Sequence, residues 1–430
     1  MNCLSACADV IRPWSLPWIL LIIAGCGVPA SESATRSDSG EYSVHYVVAP
    51  VPGTSTVAVS MRVRQPARLL RALSFPADDT ITDIDGDGDV RVAGGRVTWN
   101  PSANGGTLAW RVALRHQRGD GGYDAFLAAD WGLFRMEDVV PRARSRTRKG
   151  AVSRTTIEFE LPRYWSFVTE YSSLEHPIVV DRPERRFDQP TGWVAIGDLG
   201  VRRDKIAGTR VAVAAPAGHD LRRLEMLALL NWTLPELNAI LPRPLSRLTI
   251  VGAGDPMWRG GLSAPASLFL HADRPLISEN ATSPLLHEVM HTALRLRPKD
   301  GFDWIAEGLA EYYSIELLRR GRAITRKRAE AAFERQAEWA RDSDTLCASM
   351  STAAITARAA TLFAALDREL SRRTDGENGI DDLLAALVDS EPDLSTLTAA
   401  AVGLIGVTPD VLHIANLPGC RSIAPTDTED

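Results

Sequence analysis

From Glu41 to about Asp188 the chain alternates. YSVHYVV, TVAVSMRVR, TLAWRVAL and TIEFEL set an apolar residue at every second position, and clusters of Gly, Pro, Asn and Asp separate them. A period of two turns one side of each segment to a core and the other to water, so these runs predict the strands of a β-sandwich. Between Thr191 and Tyr313 the period is mixed. TRVAVAAP and SRLTIVGAG read as strands around a helix, DLRRLEMLALLNWTLPELNAIL, and ASLFLHA reads as an edge strand along which an extended peptide pairs. Beyond Arg320 the apolar spacing is helical in RKRAEAAFERQAEWARD, AAITARAATLFAALDREL and GIDDLLAALV. The expected fold class is α+β and multidomain: a β-sandwich over 41–190, a mixed domain over 191–320 and a helical lobe over 321–430.

The chemistry concentrates in LLHEVMHTALRLRPKDGFDWIAEGLAEYY, Leu285 to Tyr313. Thr282 and Ser283 are capping residues and Pro284 suits the first helical position, so LLHEVMHTAL predicts a helix. His287 and His291 then lie one turn apart and about 40° apart around the axis, which lets both imidazoles reach one metal. Glu288 is turned too far to be a ligand and is placed to act on the attacking water as general base and then general acid. Pro298 and Gly301 break the chain and turn it back into a second helix carrying Glu307 and Glu311. Catalytic zinc needs three protein ligands. Glu307 supplies the third, and Glu311 accepts the outer N–H of a ligand histidine, although spacing alone lets the two carboxylates exchange roles.

HEVMH, RLRP and WIAEGLAEYYS together resemble the gluzincin metallopeptidases, and most of all the glycyl aminopeptidase family. The resemblance implies His287, His291 and Glu307 as zinc ligands, Glu288 as the acid/base, a thermolysin-like zincin fold for 191–320 and a β-domain ahead of it. The chain departs from that pattern in four ways. Only fifteen residues separate His291 from Glu307. In the family a glutamate that binds a substrate's free amine follows the glycines of the cleft strand; here Gly260, Gly261 and Leu262, the substrate-binding candidates, are followed by Ser263 and Ala264. No tyrosine lies beyond Tyr313 to stabilise an oxyanion, which leaves Tyr312, Tyr313, His271 and His413 as substitutes. No PDZ-like strand pattern follows the site. The implied activity is zinc-dependent peptide hydrolysis, with a non-catalytic peptide- or partner-binding lipoprotein as the alternative.

The N-terminus adds a location. PWSLPWILLIIAGC follows Arg12, is short for a membrane-spanning helix and ends in Ile23-Ala24-Gly25-Cys26, a lipobox. Resemblance to bacterial lipoproteins implies a signal peptide over 1–25, acylation of Cys26, a polar tether over 26–40 and an enzyme held at the envelope, with Gly27 favouring the outer membrane. Cys3 and Cys7 go with the signal. Cys347 and Cys420 are left, either paired or as separate buried thiols.

The whole chain has 430 residues, 45% hydrophobic, and a net charge of -6, an ordinary globular composition that does not favour nucleic acid. Two smaller motifs stand apart from the zinc residues. Asp83, Asp85, Asp87 and Gly88 match the start of a calcium loop, but its twelfth position is Gly94 where a bidentate glutamate belongs, so a solvated turn competes with a Ca2+ site. RARSRTRK, Arg142 to Lys149, reads as the wet face of an edge strand or as a contact for anionic headgroups.

Overall fold

A computed structural model describes residues 40–171, 177–180 and 187–420. The expected signal segment, Cys26 and the expected tether up to residue 39 lie outside the described residues. No helix among the described residues is long and apolar enough to cross a membrane.

Two sheets share the first core. One has six strands, in the order Ile178–Val179, Val152–Phe159, Glu41–Pro50, Thr56–Arg64, Gly105–Ala113 and Ile81–Gly86; the other has four, Arg144–Thr147, Leu70–Pro76, Arg96–Asn100 and Asp89–Ala93. The alternation seen in the sequence is the cause. Val44, Tyr46 and Val48 from one strand, Val57, Val59 and Met61 from its neighbour, and Leu73, Phe75, Val97 and Trp99 from the facing sheet fill one interior. The first strand runs parallel to Val152–Phe159 and antiparallel to Thr56–Arg64.

A third sheet orders Ser166–Val168, Trp193–Gly197, Trp131–Arg135, Tyr123–Leu127 and Arg115–Gln117. Trp193–Gly197 therefore pairs back onto strands that precede residue 190, and this sheet crosses the expected break. Its Trp131, Leu133, Trp193 and Ala195 pack on Val251 and Phe269 of the fourth sheet and on Ala253 and Met257 of the loop that follows Val251. That sheet orders Leu199–Ile206, Thr209–Pro216, Arg247–Val251, Ser267–Leu270 and Gly261–Ala264. One of its two edges is Gly261–Ala264. The segment ASLFLHA, expected at the edge, supplies the next strand in, because the GLSA segment folds back antiparallel upon it, Leu262 opposite Phe269.

The helices fill a separate core with the fourth sheet's Val213, Leu248, Ile250 and Leu268. Trp304–Arg320 runs against Ala353–Arg373, and their approach explains the glycine after Glu307. A Cβ at Gly308 would come within 2.4 Å of the Ala359 Cβ, so only glycine lets the two backbones lie this close. Cys347 and Cys420 form a disulfide, which settles the open pairing.

The aspartate turn is not a metal site. Asp83 pairs with Arg111 at 3.1 Å, and Asp87 accepts the Thr107 backbone N–H at 2.9 Å. Asp83 and Asp85 sit in a strand rather than in a loop wrapped around a cation. Among the described residues, the one group of three or more such side chains able to hold a metal ion is His287, His291 and Glu307.

Candidate metal centre

The motif helix spans Pro284–Leu294. The Ser283 hydroxyl accepts the Leu286 N–H at 3.2 Å, Pro284 opens the first turn, and Arg295 closes the helix in the left-handed region. The chain then crosses to Trp304–Arg320 by a short linker pinned to the following helices. Arg295 bonds Asp389 at 2.7 Å, the Arg297 N–H donates to the Ser390 carbonyl at 3.0 Å, and Lys299 bonds Asp393. The second helix is thereby brought back beside the first despite the trimmed spacing.

Three donors converge. His287 Nε2 and His291 Nε2 are 3.1 Å apart, and the Glu307 oxygens lie 3.4 Å from the first and 3.2 Å from the second. The histidine side chains are 18% exposed and Glu307 28%, so the cluster is open on one side to water and to a ligand. Burial would lower the His287 pKa, but its hydrogen bonds to Glu307 and Glu311 outweigh burial and hold it well above the ordinary imidazole value. Burial likewise raises Glu307, and the two imidazoles reverse this and hold its carboxyl below the usual range. Two imidazole nitrogens and a carboxylate around one point make a donor set that fits Zn2+, with geometry left for one further ligand.

Glu311 stands behind the cluster and not in it. Its Oε2 lies 3.1 Å from His287 Nδ1, while Gln336 Nε2 donates to its Oε1 at 2.6 Å and the Ser314 hydroxyl to its Oε2 at 3.4 Å. The two glutamates, interchangeable by spacing, are separated here by geometry. Gln336 went unnoticed in the sequence, where its helix reads as packing support. The signal is burial: it is 2% exposed on a helix of mostly wet, charged positions.

Glu288 points to the edge strand. Its carboxylate accepts the Ser263 backbone N–H, and burial raises its pKa. A Cβ on Gly261 would lie 2.6 Å from Glu288 Cγ, so the strand approaches as closely as it does only through a glycine. Gly260 has a different neighbour, the Trp258 ring, which leaves no room for a side chain. Trp258 is held in turn by the third sheet, under the Arg118 guanidinium at 4.1 Å and by its N–H to the Tyr123 carbonyl at 2.8 Å. Leu262 turns its side chain into the core between the two sheets, and its carbonyl accepts the Trp193 indole N–H at 2.9 Å. Of the three residues expected to line the cleft, Gly261 alone meets Glu288.

The two tyrosines expected as oxyanion donors are bonded elsewhere. The Tyr312 hydroxyl donates to Asp367 at 2.9 Å and the Tyr313 hydroxyl to Asp381 at 2.7 Å, both within the helical layer. Their positions on Trp304–Arg320 face away from Glu307, because residues five and six further along a helix turn to its other sides. His271 has no exposed surface and is closed in beside Gly260 and Asp255. His413 is exposed between the turns Asp410–Leu412 and Ile414–Asn416, which follow the last helix.

No family model matches the sequence, and no curated protein matches it. Solved structures do. The fold is similar to that of an aminopeptidase N family protein from Idiomarina loihiensis, with a TM-score of 0.62 at 15% identity over 79% of this chain and 69% of that one. It is also similar to an M1 zinc metallopeptidase from Deinococcus radiodurans, with a TM-score of 0.54 at 13% identity over 85% and 90% of the two chains. At these identities the likeness is one of fold.

Proposed function

We propose that this protein is a zinc-dependent metallopeptidase that hydrolyses peptide bonds. One observation carries the reading: two histidines and a glutamate converge on one point while a half-buried, separate carboxylate, Glu288, lies between them and an edge strand. His287, His291 and Glu307 hold the metal. When bound, zinc supplies Lewis acidity toward a carbonyl and a water. Glu288 takes the proton from the attacking water and delivers it to the departing amine, and its hydrogen bond to the Ser263 N–H keeps it aligned with the strand. Gly261–Ala264 has no further strand on its outer side, and beyond the Ser263 N–H held by Glu288 it pairs with an extended substrate. The M1 proteins that share the fold support this reading, as does the resemblance to glycyl aminopeptidases.

We further read the chain as exported and anchored through Cys26, with the β-domain that begins near residue 41 extended past the expected break to Gly197, the zincin region following it to about residue 320 and the helical lobe after that. The lipobox supports anchoring, and the Cys347–Cys420 bond supports an oxidising compartment.

The second reading, a peptide-binding protein without turnover, draws on the two tyrosine hydroxyls, which are bonded to Asp367 and Asp381. An unbiased peptide library incubated with zinc-loaded protein separates the two. Hydrolysis that disappears in Glu288→Gln supports the peptidase; peptide capture with no hydrolysis in either protein supports the binder.

A further inference from the structure

The four-stranded sheet carries a cluster of charge that the zinc site does not use. Arg68, Arg71 and Arg146 line a surface concavity of about 480 Å³, and among the described residues no acidic side chain lines it with them. Among the described residues none of the three guanidinium groups has a hydrogen-bond or ion-pair partner.

The backbone is built to bring them together. Arg146 on Arg144–Thr147 pairs with Ala72, but the next residue, Thr147, pairs with Leu70, so Arg71 is an extra residue in its strand. The interior shows why. Leu70 and Leu73 are both buried, at 0% and 2%, and side chains three apart on a regular strand point to opposite faces. A bulge at Arg71 reconciles them and turns its side chain to the wet face that Arg146 occupies. Arg68 is presented by a loop that one buried side chain knits. Gln65 Oε1 accepts the Leu69 and Leu70 N–H groups at 3.0 and 2.8 Å, and its Nε2 donates to the Ser102 carbonyl at 3.0 Å.

Like charges on neighbouring strands repel and destabilise a sheet, and guanidinium forks match the paired oxygens of phosphate. We propose that Arg68, Arg71 and Arg146 form a binding site for a phosphate-ester anion, separate from the metal centre.

The test uses the full chain carrying Cys26→Ser, so that lipid on that cysteine does not itself cause sedimentation. Calorimetric titration with inorganic pyrophosphate at low ionic strength is expected to saturate at one site. Arg71→Gln should weaken it at least tenfold and the triple Gln variant should abolish it, while Arg144→Gln, on the same strand but outside the concavity, should leave it unchanged. Pyrophosphate should raise the Tm of the parent and not that of the triple variant. Sedimentation with phosphatidylcholine vesicles containing phosphatidylglycerol identifies the source. Co-sedimentation lost in the triple variant assigns a lipid headgroup; pyrophosphate binding without co-sedimentation assigns a free phosphate compound. Equal pyrophosphate binding by parent and triple variant, or no saturable binding at all, overturns the site.

Discussion

His287 Nδ1 lies 3.1 Å from Glu311 Oε2, and that contact leaves His287 Nε2 facing Glu307 and His291. The carboxylate fixes which nitrogen of the ring is free, and Gln336 fixes the carboxylate. Glu311→Ala should therefore weaken zinc about 10–100-fold, Gln336→Ala less, and Glu307→Ala far more than either. Competition with a chelator of known affinity measures all three. If Glu311→Ala proved the most damaging, the assignment of the two glutamates would be reversed.

The contact between Gly261 and Glu288 sets a second expectation. A methyl group at Gly261 must displace the Glu288 side chain or the edge strand, so Gly261→Ala should lower kcat/KM at least about tenfold, or 1.4 kcal/mol, with zinc affinity unchanged. Parallel measurements of metal affinity and turnover check this. Full activity in the variant would mean that the strand and the carboxylate do not work together.

Recognition of a free amino terminus should be weak. A desolvated ammonium needs a partner carboxylate, and the edge strand has Ser263 where such a group belongs. Asp255, a possible substitute, is already bonded to Arg259 at 2.6 Å. N-acetylated peptides should therefore be cleaved within about tenfold of their free counterparts. Release of single residues from free peptides alone, with a larger loss on acetylation, would restore an aminopeptidase.

Asp393 links stability to pH. It caps the helix Leu394–Ile405 and accepts the Thr396 N–H at 2.8 Å. Burial raises its pKa, but the bonds from Lys299 and from the Thr396 N–H and hydroxyl outweigh this and lower it from the ordinary 3.8 to about 2. A lowered folded value means stability that is present above the unfolded pKa and lost as pH falls through the folded one. With Lys299 largely exposed, the contribution is about 1 kcal/mol. Asp393→Asn should thus be less stable than the parent at pH 6, and the gap should close between about pH 4 and pH 2. A constant difference across that range, read by denaturant unfolding, would contradict the assignment.

Much of this architecture was legible because periodicity reports local geometry. TVAVSMRVR is the strand Thr56–Arg64 to the residue, and the capping and proline signals locate the motif helix. What escaped depends on distant pairing. GWVAIG reads as part of the later domain, yet Trp193–Gly197 joins Trp131–Arg135. ASLFLHA reads as an edge until GLSA folds back on it. The candidate metal ligands were visible because a helix fixes the spacing of His287 and His291. The fate of the tyrosine hydroxyls was not, since Asp367 and Asp381 lie 55 and 68 residues away in sequence.

The most direct measurement is an equilibrium zinc titration of the parent, His287→Ala and Glu288→Gln, with each protein first confirmed to be folded. Glu288 touches the edge strand and not the donor cluster, so parent and Glu288→Gln should each bind one zinc per chain with similar affinity, and His287→Ala should bind none stoichiometrically. Equal binding by all three proteins, or loss of zinc in Glu288→Gln as complete as in His287→Ala, would contradict the account.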